Sequence, residues 1–191
     1  MYTIVVTPNP ILIKKTQKVT KFDKKLNDIL RQMEETLKST TDPVGVGLAA
    51  PQVGLPLSIF QMKPTDSSPV KHFINPVIVQ KPIMSDDISA INRKEESVKK
   101  QRKGKLLEGC LSIPNIWGHV TRDKNLTLEW QDEKGRKHKK YFTGFPAVII
   151  QHEMDHLQGI LFTKHVVEQK EKLYKSHKND KGEDEFDEVK L

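Results

Sequence analysis

Ala147-Val148-Ile149-Ile150-Gln151-His152-Glu153-Met154-Asp155-His156-Leu157-Gln158-Gly159 is the stretch around which the rest of the chain can be organised. Pro146 stands just ahead of it, where a helix has no use for the missing N–H, and Gly159 stands where a helix can stop. Between them the pattern is helical. Val148, Ile149 and Ile150 are consecutive and apolar, so the first turns have no face to spare for water and the helix should lie at the centre of the molecule. His152 and His156 are four apart and share one helix face, with Glu153 one step around. Two imidazoles so placed can bind one metal ion while the carboxylate reaches a water bound to it. The competing reading is two solvent-facing histidines on an amphipathic helix. The apolar turn before them argues against it, because buried imidazole is costly unless something partners it.

Catalytic metal sites commonly use three protein ligands and keep a fourth position for water, so a third donor is needed. The one cysteine of the chain, Cys110, is the natural candidate. It cannot form an internal disulfide, and it sits in Glu108-Gly109-Cys110-Leu111-Ser112-Ile113-Pro114, where glycine allows a tight backbone. The alternative is that it fills space as a small hydrophobe. A third segment, Val44-Gly45-Val46-Gly47-Leu48-Ala49-Ala50-Pro51-Gln52-Val53-Gly54, reads as neither an ordinary helix nor an ordinary strand. Its small residues leave room for a ligand main chain and Gln52 offers an amide beside it, unless the loop is only structural.

Around these segments, residues 1–6 predict a short strand and Thr7-Pro8-Asn9-Pro10 breaks it. Leu26, Ile29, Leu30, Met33 and Leu37 recur at steps of three and four, predicting an amphipathic helix over 23–39. Strands are expected at 57–61, 73–80, 120–130 and 139–143, with a turn at 132–136. Residues 85–105 are charged and without periodicity, and read as an insertion loop. The fold class is therefore α+β, with antiparallel strands around a central apolar helix that carries the histidines and an amphipathic helix near the N-terminus.

A length of 191 residues suits one domain, here 1–167 with a C-terminal extension over 168–191. No run approaches about 18 apolar residues, so neither a membrane span nor a secretory signal is expected and the protein should be cytosolic. The net charge of +7 is unevenly spread. Residues 164–178 hold five lysines against Glu168 and Glu171, and predict a basic helical extension. Residues 179–191 then hold six acids against Lys181 and Lys190 with few apolar anchors, and read as a disordered tail.

Taken in order, Gly45-Val46-Gly47-Leu48-Ala49-Ala50-Pro51-Gln52, Glu108-Gly109-Cys110-Leu111-Ser112 and Gln151-His152-Glu153-Met154-Asp155-His156 resemble the three motifs of the peptide deformylases. The resemblance implies hydrolysis of the formyl group from the N-terminal methionine of new polypeptides. It implies that Cys110, His152 and His156 hold a divalent metal, that Glu153 is the general base, and that Gln52 and the backbone N–H of Leu111 bind the oxyanion. Ferrous iron is the ion typical of the family, with nickel or cobalt often active and zinc less so. Members often carry an arginine shortly after the cysteine motif; here Trp117 lies in that stretch and the next arginine is Arg122.

The methionine side chain should enter a pocket formed by Val46, Gly47, Phe145, Val148 and Ile149. Glu108 and Asp155 would crowd negative charge near a thiolate, which a cation must relieve. Arg122, twelve residues past Cys110 on a strand expected alongside it, has the planar fork to bind both. The partners expected are a formyl-methionyl peptide and, through the lysines of 164–178, the ribosome; neither a membrane nor a specific nucleic-acid sequence is expected. Two rival readings are a zinc protease on the same helix, with His165 or Glu168 as third ligand, and an inactive basic module that binds RNA or the ribosome.

Overall fold

A computed structural model describes residues 1–79, 103–180 and 182–190. Their strands form two antiparallel sheets. One has five strands in the order β1-β2-β3-β6-β7, comprising β1 (Gly47–Ala49), β2 (Ile59–Met62), β3 (Lys71–Val79), β6 (Asn125–Gln131) and β7 (Lys137–Thr143). The other has four, in the order β4-β5-β8-β9: β4 (Lys103–Cys110), β5 (Ile113–Asp123), β8 (Leu173–Lys178) and β9 (Asp184–Val189). No helix among the described residues is long and apolar enough to cross a membrane.

Helix α1 (Lys24–Ser39) starts where the Asp23 side chain accepts the N–H of Leu26, a cap that contributes about 1 kcal/mol. Its buried Leu26, Leu30, Met33 and Leu37 pack with Leu48, Val53, Ile59 and Ile74. Helix α2 (Phe145–Leu157) touches strands of both sheets. Ala147, Ile149, Ile150 and Leu157 join Phe60, Phe73, Leu126, Leu128 and Phe142 in one core, which explains why this helix has no wholly polar face. Helix α3 (Phe162–Glu168) sends Phe162 and Val166 under the second sheet, against Cys110, Ile113, Val120 and Leu173.

Several expectations need correction. Residues 1–6 form no strand, although the N–H of Val5 donates to the carbonyl of Gln52. The glycine segment does contain regular structure: β1 and a 3-10 turn over Ala50–Val53. The strand expected at 120–130 is two strands in different sheets, with a corner at Lys124. Residues 103–105 of the expected insertion begin β4, and the other residues of that segment lie outside those described. The helical extension stops at Glu168, and the tail is no disordered appendage: β8 and β9 form a hairpin that extends the sheet of β4 and β5. The opposed charges explain this. Lys172 pairs with Glu188 and Lys178 with Asp184 across the hairpin, and His177 faces Glu185 and Asp187.

Candidate metal centre

Strand β4 ends at Cys110, and α2 brings His152, Glu153 and His156 up to it. The Gln151 side chain fastens helix to sheet: it accepts the N–H of Asp123 and donates to the Asp123 carbonyl at the end of β5. Cys110 Sγ lies 3.2 Å from His156 Nε2, and the ligand atoms of Cys110, His152 and His156 all fall within 4.8 Å of one another. An ion about 2.3 Å from sulfur and about 2.0–2.1 Å from nitrogen in a tetrahedron places those donors about 3.5 Å apart, so this spacing fits with only small adjustment. A thiolate with two imidazoles suits zinc, iron, nickel or cobalt.

The lowered pKa of the Cys110 thiol agrees with such a role. Burial pushes the Cys110 thiol up, but the imidazoles of His156 and His152 outweigh it and hold the thiol well below its usual range. Burial alone would depress His152, yet Cys110 and Glu108 hold it well above the ordinary histidine value. Burial raises Glu153 to about 7, opposed by His152 and His156 and reinforced by Cys110 and Asp155. Glu153 Oε2 is buried with no hydrogen-bond partner among the described residues. Gly47 makes room for this carboxylate, since a Cβ there would collide with it.

A further layer of hydrogen bonds surrounds these side chains. Arg122 donates from Nε and Nη2 to the two oxygens of Glu108 at 2.8 and 2.9 Å, and from Nη1 to Asp155 at 2.6 Å. Glu108 accepts the Nδ1–H of His152 at 3.0 Å, which leaves Nε2 of that ring free to bind an ion. The expected grouping of Arg122, Glu108 and Asp155 is therefore present in the geometry. His165, a third-ligand candidate in the protease reading, instead donates to Asp155 at 2.9 Å. Gln52 accepts the N–H of Ala49 at 2.8 Å, which aims its amide Nε2 toward Cys110 Sγ, 3.5 Å away.

A cleft of about 270 Å³ opens beside these groups. Val46, Gly47, Phe145, Val148 and Ile149 all line it, as do Gln52, Leu111, His152 and Glu153. Leu106, Leu107 and Trp117 line it as well. No motif marks them: they become neighbours of the cleft only through the pairing of β4 with β5, in which Gly109 lies opposite Trp117.

Comparison with known proteins gives one answer. The profile of the family described as polypeptide deformylase matches residues 1–172. The chain is 34% identical to a peptide deformylase of Christiangramia forsetii over 91% of this chain and 85% of that protein. It is 35% identical to that of Borreliella burgdorferi over 94% of this chain and 96% of the other. Among solved structures, the peptide deformylase of Thermotoga maritima superposes with a TM-score of 0.71 at 32% identity, covering 86% of this chain and 97% of that one. The Synechococcus elongatus enzyme, solved with actinonin, gives 0.70 at 30% identity, with 86% and 78% covered. With the Cys110, His152 and His156 donors converging beside a buried carboxylate, the chain belongs to the peptide deformylase family, metal-dependent hydrolases that remove the formyl group from N-terminal formyl-methionine.

Proposed function

We propose that Cys110, His152 and His156 hold the catalytic ion of this deformylase and that Glu153 moves the protons of the reaction. The observation that carries the proposal is the unpartnered, buried Oε2 of Glu153 beside three donors within 4.8 Å of one another. A divalent ion held by these residues would supply a water acidic enough to act as hydroxide near neutral pH and would polarise the formyl oxygen. Glu153 takes the proton from the attacking water and passes it to the departing methionine nitrogen. Gln52 Nε2 and the Leu111 N–H donate to the formyl oxygen as negative charge gathers on it, so they bind the transition state more strongly than the substrate. Glu108 and Arg122 hold His152 in the tautomer that presents Nε2.

The methionine side chain occupies the apolar wall of Val46, Phe145, Val148 and Ile149, with Gly47 leaving space for the base. Among the described residues, strands β1 and β4 are end strands of their sheets, and both border the cleft. Each offers unpaired backbone groups to an extended peptide. Ferrous iron is the native ion we assign, on the family resemblance; Zn2+, Ni2+ and Co2+ suit the same donors. Ribosome contact through 164–178 would fall to Lys170 and Lys175, because Lys164, Lys172 and Lys178 pair with Glu168, Glu188 and Asp184.

The test is formate release from a formyl-methionyl peptide by protein purified without oxygen, with metal content measured on the same sample. Turnover with one ion per chain is expected, and loss of both in Cys110→Ala. Turnover that survives this substitution would return the assignment to a site independent of the thiol.

A further inference from the structure

Strands β8 and β9 lie beyond residue 172, where the family match ends, yet they touch a side chain of the cleft wall. Trp117 is the link. Its ring covers Gly109 of β4, where a Cβ would collide with the indole. Its Nε1–H donates to Ser176 Oγ of β8 at 3.0 Å. Phe186 of β9 meets it edge to face, with centroids 6.0 Å apart and planes at 82°. One side chain of the cleft wall is thus fixed on three sides, and two of those sides belong to the hairpin.

Cross-strand partners share a face of a sheet. The pairs Gly109 with Trp117, Trp117 with Tyr174, and Ser176 with Phe186 therefore place these residues on one face, away from buried Leu173 and Val120. That face runs on from the cleft. Leu107 and Phe186 are 41% and 44% exposed on it, apolar side chains bordered by the Glu188, Lys178 and Asp184 positions of the hairpin. The hairpin charges that border this face are paired with each other, Lys172 with Glu188 and Lys178 with Asp184.

A deformylase substrate is a polypeptide, so chain must leave the cleft after the methionine. We infer that Trp117, locked in place by Ser176 and Phe186, forms an apolar subsite for substrate side chains that follow the formyl-methionine. This rests on the deformylase reading above. Trp117 is then the specificity-determining residue, and Ser176 and Phe186 are positioning residues that act through it. A preset aromatic wall gains contact without the cost of ordering a mobile side chain.

The experiment compares formyl-Met-Ala, formyl-Met-Ala-Leu-Phe and formyl-Met-Ala-Glu-Glu on the metal-loaded protein and on its W117A, F186A and S176A variants. The parent should favour the Leu-Phe peptide through KM. W117A should abolish that preference. F186A should raise KM for the Leu-Phe peptide about threefold to tenfold, S176A somewhat less, with kcat unchanged. Turnover of formyl-Met-Ala by F186A and S176A should stay at the parent level, which also reports that they fold. An equal loss on all three peptides, or unchanged KM for the Leu-Phe peptide, overturns the subsite alone. A parent dimer that F186A splits into monomers without touching KM assigns the face to a second copy and overturns it too. No formate from any peptide would overturn the deformylase reading and the subsite with it.

Discussion

Arg122 and Glu108 meet inside the molecule through two parallel hydrogen bonds of 2.8 and 2.9 Å, both side chains only 6% exposed. Burial alone would raise the Glu108 carboxyl; hydrogen bonds from Arg122 and His152 reverse this and bring it down to about 2. A buried pair of this kind is weak as a source of net stability, because desolvation offsets much of the attraction, but removing one partner strands the other at a cost of about 3–5 kcal/mol. Its use is directional. Arg122 orients Glu108, and Glu108 sets the proton on His152. Arg122→Ala should lower metal retention or turnover about 10- to 100-fold, read by metal content and kcat/KM. Arg122→Lys keeps the charge without the fork and should fall in between. If Arg122→Ala holds metal and turns over like the parent, the support role is wrong.

Gly47 and Glu153 make a second dependence. Glu153→Gln keeps the shape of the side chain and removes its ability to take a proton, so metal should be retained while kcat drops by about 10²–10⁴. Gly47→Ala leaves Glu153 chemically intact but pushes its carboxylate aside. Displacing a catalytic group by about 1 Å can cost roughly 100-fold, so kcat should fall on that order with metal content unchanged. A Gly47→Ala protein with parental kcat would place the base elsewhere.

What the sequence exposes and what it hides differ by the range of the contact. Helix α2 and the position of its histidines follow from a local period, and α1 from its apolar stripe and Asp23 cap. The hairpin of β8 and β9 is hidden because each strand alone is charged and poor in apolar residues. Its support is the opposition of one strand's lysines to the other's acids, which exists only once they pair. The corner at Lys124 is hidden for a related reason. Val120, Leu126, Leu128 and Trp130 keep even spacing across it with no glycine or proline to mark the turn, although Val120 packs under one sheet and Leu126 and Leu128 under the other. The three candidate donors, Cys110, His152 and His156, are legible as motifs. Trp117 and His165 are not, because their partners Ser176, Phe186 and Asp155 are set by tertiary packing.

The apolar wall predicts graded selectivity for the first residue. Norleucine matches methionine in length and shape, so formyl-norleucyl peptides should lose little. Formyl-glycyl peptides forgo the burial of a whole side chain, worth about 1.5–3 kcal/mol, and should fall about 10- to 100-fold or more in kcat/KM. Comparable kcat/KM for formyl-glycyl and formyl-methionyl peptides would show that the wall of Val148 and Ile149 does not receive this side chain.

Far from the cleft, Asp132 organises the turn between β6 and β7 and gives the fold a pH dependence of known sign. Burial would raise its carboxyl, but His138 Nε2, Arg136 Nε and the backbone N–H groups of Arg136 and Lys134 all hydrogen-bond to it and hold it well below the usual carboxylate range. A carboxyl depressed by folding stabilises the fold fully above its unfolded value of about 3.9, and that contribution is lost as pH falls through the lower folded value. Asp132→Ala should therefore lower Tm by a few degrees at pH 7, where the parent carboxylate is charged. The gap between parent and variant should narrow steadily below about pH 4, where the parent begins to lose the same interaction. Thermal unfolding of both proteins across that range is the measurement. A gap that stays constant from pH 7 into strong acid would mean that the turn is held by its backbone bonds and not by the charge on Asp132.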